Sequence, residues 1–208
     1  KDALLKLCAD TAEAVRNGSV LIVLSDENIP PDTLPIQALL ATGAVHQHLS
    51  REGLRCNANL LIATGSVRDS HQLATFISFG ATAVYPYLAY AIVRDRCHKN
   101  ELELPPSQAL RNYRQGMRKG LLKIMSKMGI STVAAYRGAQ LFEIVGLEQD
   151  VVATCFDGTP CRIAGAGFAQ LENDQKALAK EASFLAKPIR RGGILKYMHD
   201  QEYHAFNP

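Results

Sequence analysis

The sequence predicts an α/β fold of parallel β-α-β units, and two observations carry that prediction. Apolar runs of strand length alternate with amphipathic helical segments, and the alternation recurs every roughly 30 residues, as right-handed parallel crossovers require. The runs are also continuous and branched, as in Val20-Leu21-Ile22-Val23-Leu24, which suits a parallel sheet with helices on both faces. Composition agrees: 208 residues, 47% hydrophobic and 21% charged, supply a real core, exclude disorder and fit one domain or one and a half. A two-layer or barrel α/β unit is expected over 1–95, a connection over 96–109, and a helix-rich αβ extension over 110–208.

The elements follow in order. Residues 3–16 place Leu4, Leu5, Cys8, Thr11, Ala12 and Val15 at helical spacing, and Asn17-Gly18 stops the helix. The strand at 20–24 is followed by a Pro-rich loop, Ile29 to Pro35, and by a helix over 36–52 carrying Leu39, Leu40, Ala44 and Leu49. The pattern repeats as a strand at 59–65, a helix capped by Asp69 or Ser70 that runs to Phe79-Gly80, and a short strand at 83–85. Arg94 to Gln108, with Pro105-Pro106, reads as a polar connection. Leu110, Tyr113, Met117, Leu121, Ile124, Met125 and Met128 predict a long helix ended by Gly129. Beyond it, 130–147 predicts one or two short helices, 151–156 a strand, Asp157-Gly158 a turn, and 168–186 a helix with Leu171, Leu178, Ala182 and Leu185 inward. Pro188 ends that helix and Arg190 to Gly193 read as loop.

Several function classes are disfavoured at once. Twenty-three basic against twenty acidic residues, net +3, imply no bulk electrostatic partner such as duplex DNA or an anionic membrane. No run reaches the roughly 18 apolar residues of a membrane span, and no signal segment opens the chain, so a cytoplasmic location is expected. Five scattered cysteines suit a reducing compartment; only Cys155 and Cys161 are close, and no third ligand stands at a matching interval. His46 and His48, two apart on a helix, point to different faces and make no metal pair. Asp69, Ser70 and His71 diverge on successive helix positions and make no triad. Gly165-Ala166-Gly167 lacks a third glycine for a dinucleotide fingerprint and reads as a tight turn. A phosphate site at Gly65–Asp69, at a strand end before a helix N-terminus, stays open as an alternative. So does a polyanion module on the basic face Arg111, Arg114, Arg118, Lys119, Lys123 and Lys127, although no aromatics interleave there.

One long stretch is specific. Ile124 to Leu147, KIMSKMGISTVAAYRGAQLFEIVGL less its first residue, resembles the large chain of glutamate synthases. Leu21 to Asp26 (LIVLSD), Phe79 to Ala89 (FGATAVYPYLA) and Gly193 to Pro208 (GILKYMHDQEYHAFNP) agree in order, so the resemblance covers nearly the whole chain. It implies the later part of a central domain lying between an amidotransferase domain and an FMN-binding barrel. It also accounts for a start at Lys1 and a stop straight after a Tyr- and His-rich stretch, which read as a cut from a longer chain.

The resemblance implies a degenerate, incomplete TIM-barrel-like domain with no chemistry of its own. It implies FMN, a 3Fe-4S cluster, and NADPH through a small reductase subunit for the full enzyme, but none in this piece. The cluster's cysteine pattern fails at Ala166, and Lys1 is no N-terminal Cys nucleophile. Where functional FMN barrels end their last strands in small residues, this chain has Thr64-Gly65-Ser66 and Tyr85-Pro86-Tyr87, whose bulk and missing N–H disfavour a phosphate nest. The candidate contacts to neighbouring domains are Tyr136, Arg137 and Gln140, with Lys196, Tyr197, Glu202, Tyr203 and His204; they are motif residues with little reason to be core. Exposed sheet edges on such a piece also make self-association an expectation.

Overall fold

The structure is a computed structural model and describes residues 1–30 and 33–182. Its first half is a run of β-α-β units. Helix α1 (Asp2–Arg16) buries Leu4, Cys8, Thr11, Ala12 and Val15 and ends where Gly18 takes a positive φ; Leu5, expected inward, is exposed. Strands β1 (Leu21–Ser25), β2 (Asn59–Ala63) and β3 (Ala83–Tyr85) form a parallel sheet in the order β1-β2-β3, joined by α2 (Ala38–Arg51) and α3 (Ser70–Ser78). Asp69 caps α3 as expected, its Oδ1 accepting from the Gln72 N–H at 2.8 Å.

The sheet's two faces differ. Leu60 and Ile62 are buried beneath α1 and α2 with Ile22 and Leu24 partly covered beside them. The opposite face carries Leu21, Val23 and Tyr85 in register with Asn59, Leu61 and Ala63, and those first three are exposed. Among the described residues helices therefore cover one face, not both: the branched runs belong to strands whose second face is left there as an open apolar layer, as on the inside of a barrel. No closed barrel exists among the described residues.

The second half departs from the sequence reading in several places. Helix α4 (Tyr87–His98) takes in residues read as connection, and α5 (Pro106–Lys127) starts earlier than expected, with Pro106 at its first position. Only Ala89 and Cys97 of α4 are buried, so the helix lacks the apolar stripe that would have signalled it. After the short α6 (Val133–Tyr136), Ile144–Leu147 is strand β4 and not helix. The expected strand at 151–156 is helix α7 (Gln149–Cys155), where Val151, Val152 and Cys155 face α2; a short apolar run fits either element, and the packing decides. Gly43 of α2 makes that packing close, since an added Cβ would overlap the Cys155 carbonyl and touch the Phe156 ring at 2.9 Å.

Strand β5 (Cys161–Ala166) pairs parallel with β4 through a ladder broken by two register shifts. Gly165 lies within it against the Gly146 backbone, so the glycine pair is strand and close approach rather than the expected turn. Helix α8 (Phe168–Ala182) buries none of its residues, and Leu178, expected inward, is exposed; Phe168 and Leu171 alone reach the core, through the first turn. Leu185, Pro188 and the loop at Arg190–Gly193 lie outside the described residues. No helix among the described residues is long and apolar enough to cross a membrane.

Candidate functional site

In parallel α/β architectures ligands sit beyond the C-terminal ends of the strands. Here that end is closed by the chain itself. Asp26, one residue past β1, accepts from the Thr64 hydroxyl at Oδ2 (2.5 Å) and from the Gly65 N–H at Oδ1 (3.0 Å). Thr64, fully buried, also accepts from the Ser66 N–H at 3.1 Å. From the first position of α4, two residues past β3, Tyr87 donates its hydroxyl to the Asp26 carbonyl at 3.3 Å; burial, and then its bonding to Asp26, push its phenol up to about 12. Tyr85, Tyr90 and Tyr113 stack edge to tilted beside it, with centroids 5.7 Å apart at each step, and Tyr113 donates to the Arg68 carbonyl at 3.0 Å.

These contacts correct the phosphate reading of Gly65–Asp69. A phosphate nest needs free N–H groups and positive potential. The Gly65 N–H already points to a carboxylate, Ser66 N–H to Thr64, Arg68 N–H to Gln72 Oε1 at 2.7 Å, and the α3 N-terminus holds the Asp69 carboxylate. Sequence reading weighed Tyr85 and Pro86 but missed Asp26 as the closing group. Its signal was there: the first of two adjacent acids, Asp26 and Glu27, at the end of an apolar strand run.

Metal chemistry finds no donor set among the described residues either. Cys155 is buried in α7, its thiol pushed up to about 12 by burial, while the Cys161 thiol donates to the Leu147 carbonyl at 3.5 Å. No three of His, Cys, Asp or Glu converge among the described residues. The basic residues of α5 at 111, 114, 118, 119, 123 and 127 are all exposed, with no stacking aromatic between them.

The proposed contact residues divide. Tyr136 is fully buried with Ala74, Ile77 and Met125, so it is core, contrary to the expectation; its hydroxyl has no partner among the described residues. Leu121, Ile124 and Met125 of α5 bury it together with Leu73, Ala74 and Ile77 of α3, the helix that lies against both α5 and α6. Arg137 is half-buried, and its Nε likewise lacks a partner among the described residues. Gln140 is exposed at a φ of +50° with its amide against Gly158. Lys196, Tyr197, Glu202, Tyr203 and His204 lie outside the described residues.

A cluster the sequence did not reveal adjoins Arg137. Arg55 donates from Nε to His46 Nδ1 at 2.9 Å and from its two amino groups to the carbonyls of Ala58 and Gly80. Gly80, at φ +120°, must be glycine, since a Cβ would meet the His46 ring at 2.5 Å. Burial first, then the charges of Arg55 and Arg137, lower the His46 imidazole to about 4, so it stays neutral and accepts.

Among known proteins, the chain resembles glutamate synthases in sequence and part of a TIM barrel in fold. The chain is 37% identical to the NADPH glutamate synthase large chain of Bacillus subtilis over 94% of its own length and 13% of that protein's. It is 39% identical to a ferredoxin-dependent glutamate synthase of Arabidopsis thaliana, named as chloroplastic/mitochondrial, over 99% of this chain and 14% of that one. The NADH glutamate synthase of Schizosaccharomyces pombe is 34% identical over 99% and 10%. The chain thus spans about a tenth to a seventh of these relatives, and they differ in electron donor. Among solved structures, a flavocytochrome b2 variant with pyruvate bound matches at TM-score 0.50 and 15% identity, over 93% of this chain and 40% of that one, a likeness of fold to part of a TIM barrel. The glutamate synthase central domain family matches residues 1–148, and the chain belongs to it.

Proposed function

We propose that the chain is a structural segment of a glutamate synthase, holding an amidotransferase domain and an FMN-binding domain of the same polypeptide at a fixed spacing for ammonia transfer. The full reaction on this reading converts glutamine, 2-oxoglutarate and reductant into two glutamates. The observation that carries the non-catalytic part is the Asp26 carboxylate on the Gly65 N–H and Thr64 hydroxyl: it fills with negative charge the position where a barrel would bind a phosphate. FMN does not fit there, because the N–H groups its phosphate would need already bond to the chain's own oxygens. FMN, the 3Fe-4S cluster and the reductase subunit with its NADPH belong to the remainder of the enzyme. A cytoplasmic location and the division at 1–95, 96–109 and 110–208 are parts of the same proposal.

Arg137 is the contact residue best placed for the spacing role, because its side chain is half outside and one of its donors lacks a partner among the described residues. Replacing Arg137 with Ala in the full enzyme is expected to uncouple glutamine hydrolysis from glutamate formation, so that hydrolysis exceeds synthesis; Arg137→Lys is expected to retain part of the coupling. A ratio of ammonia released to glutamate formed equal to the unmodified enzyme's removes the assignment.

A further inference from the structure

Among the described residues strand β1 has an unpaired edge. The Val20 carbonyl accepts from Asn59 N–H, and Asp26 N–H donates to the Ala63 carbonyl, so Val20, Ile22, Leu24 and Asp26 turn their peptide groups toward β2. Leu21, Val23 and Ser25 therefore turn theirs away, to a side where no strand lies among the described residues. That side is not walled off. A cavity of about 480 Å³ opens beside the C-terminal half of β1, between Leu7 of α1, Val23 and Leu24, the loop residues Leu34 and Ile36, and Ala41 of α2.

Topology says what fits there. The crossovers β1-α2-β2 and β2-α3-β3 advance in one direction across the sheet, and α2 lies on the Leu60 and Ile62 face. Helix α1 packs on that same face against α2 through Leu4, Cys8, Ala12 and Val15. A crossover of the same right hand that reaches β1 through α1 starts from a strand on the side of β1 away from β2. Polypeptide to supply it is plentiful in the relatives, of which the chain spans as little as 10%.

We propose that in the complete polypeptide the outer edge of β1 is paired by a parallel strand that precedes α1, seated in the apolar groove between Leu7 and Val23. The occupant is a segment of the same chain, which extends the barrel-like wall by one strand and removes an edge that would otherwise recruit other molecules. The inference rests on the reading of this chain as part of a longer glutamate synthase, and not on the coupling role of Arg137.

Hydrogen exchange on the full-length enzyme tests it, read residue by residue in β1. Leu21, Val23 and Ser25 amides are expected to exchange on the order of 100-fold or more slowly than unprotected amides, alongside Ile22 and Leu24, at every protein concentration. Fast exchange at the three outward amides with slow exchange at the two inward ones overturns the proposal. So does protection that disappears on dilution, which assigns the edge to a second copy. Val23→Pro gives a second reading: a solvent-facing edge tolerates proline, whereas a paired one does not. Unchanged expression, thermal midpoint and exchange in that variant also overturn the proposal. Because exchange reads strand pairing and the coupling ratio reads domain spacing, either can fail while the other stands.

Discussion

The two sheets apply one rule with unequal results. In the first, β2 sits between β1 and β3 and beneath α1 and α2, so Leu60 and Ile62 lose all contact with water. In the second, β4 and β5 pair only with each other among the described residues, the ladder shifts twice, and Val145 and Ile163 remain 69% and 60% exposed. Both are parallel β-α-β units. What separates them is neighbours: a strand is stabilised by side chains meeting on both sides and a helix above, and branched residues alone do not provide that.

Paired substitutions in the full polypeptide sharpen this contrast, read as changes in unfolding free energy by denaturant titration. The largest difference is expected between Ile62→Ala and Ile163→Ala. The first opens a cavity in the core and is expected to cost about 3–4 kcal/mol, and the second less than about 1 kcal/mol. A similar cost at both means that another part of the polypeptide covers the β4–β5 face. Next come two helical glycines. Gly43→Ala forces α2 and α7 apart at the Cys155 carbonyl and is expected to cost about 2 kcal/mol, whereas Gly116→Ala meets nothing within 4 Å and is expected to gain about 0.5–1 kcal/mol from helix propensity. A neutral Gly43→Ala would show that the two helices are not locked together.

The last of these contrasts is a pH dependence. His46 is held at about 4 when folded, against an ordinary 6.5, so the unfolded chain binds a proton more readily between those values. The stability it contributes is therefore present above pH 6.5 and is lost as the pH falls through 4. A pH series of unfolding free energies is expected to slope upward across that window, and His46→Gln to flatten it. An identical slope in the variant would mean that His46 is not the group responsible.

How much of this the sequence carried depended on whether local pattern or distant packing made each decision. The first sheet was legible almost to the residue, because β1, β2 and β3 each combine an apolar run with a helix signal such as Asp69 at its N-cap. Helix α7 was misread because Val151 to Phe156 is a short apolar run, and only α2 and its Gly43 turn it into a helix. Helix α4 was missed because it packs by two buried side chains. At the strand ends, Tyr85 and Pro86 signalled obstruction, yet the closing group is Asp26, whose partners Thr64 and Gly65 lie almost forty positions along the chain. A contact of that range leaves no period to read. Tyr136 was misplaced for the same reason, since the aliphatic residues that bury it come from α3 and α5.

The central claim, that the strand ends are filled by the chain's own carboxylate and hold no flavin, is tested most directly by flavin content. FMN per polypeptide is measured by fluorescence after denaturing the purified full enzyme and its Asp26→Asn and Gly65→Val variants. The account predicts the same ratio in all three, since the flavin resides elsewhere in the enzyme; a ratio that falls with Gly65→Val, or rises with Asp26→Asn, would contradict it.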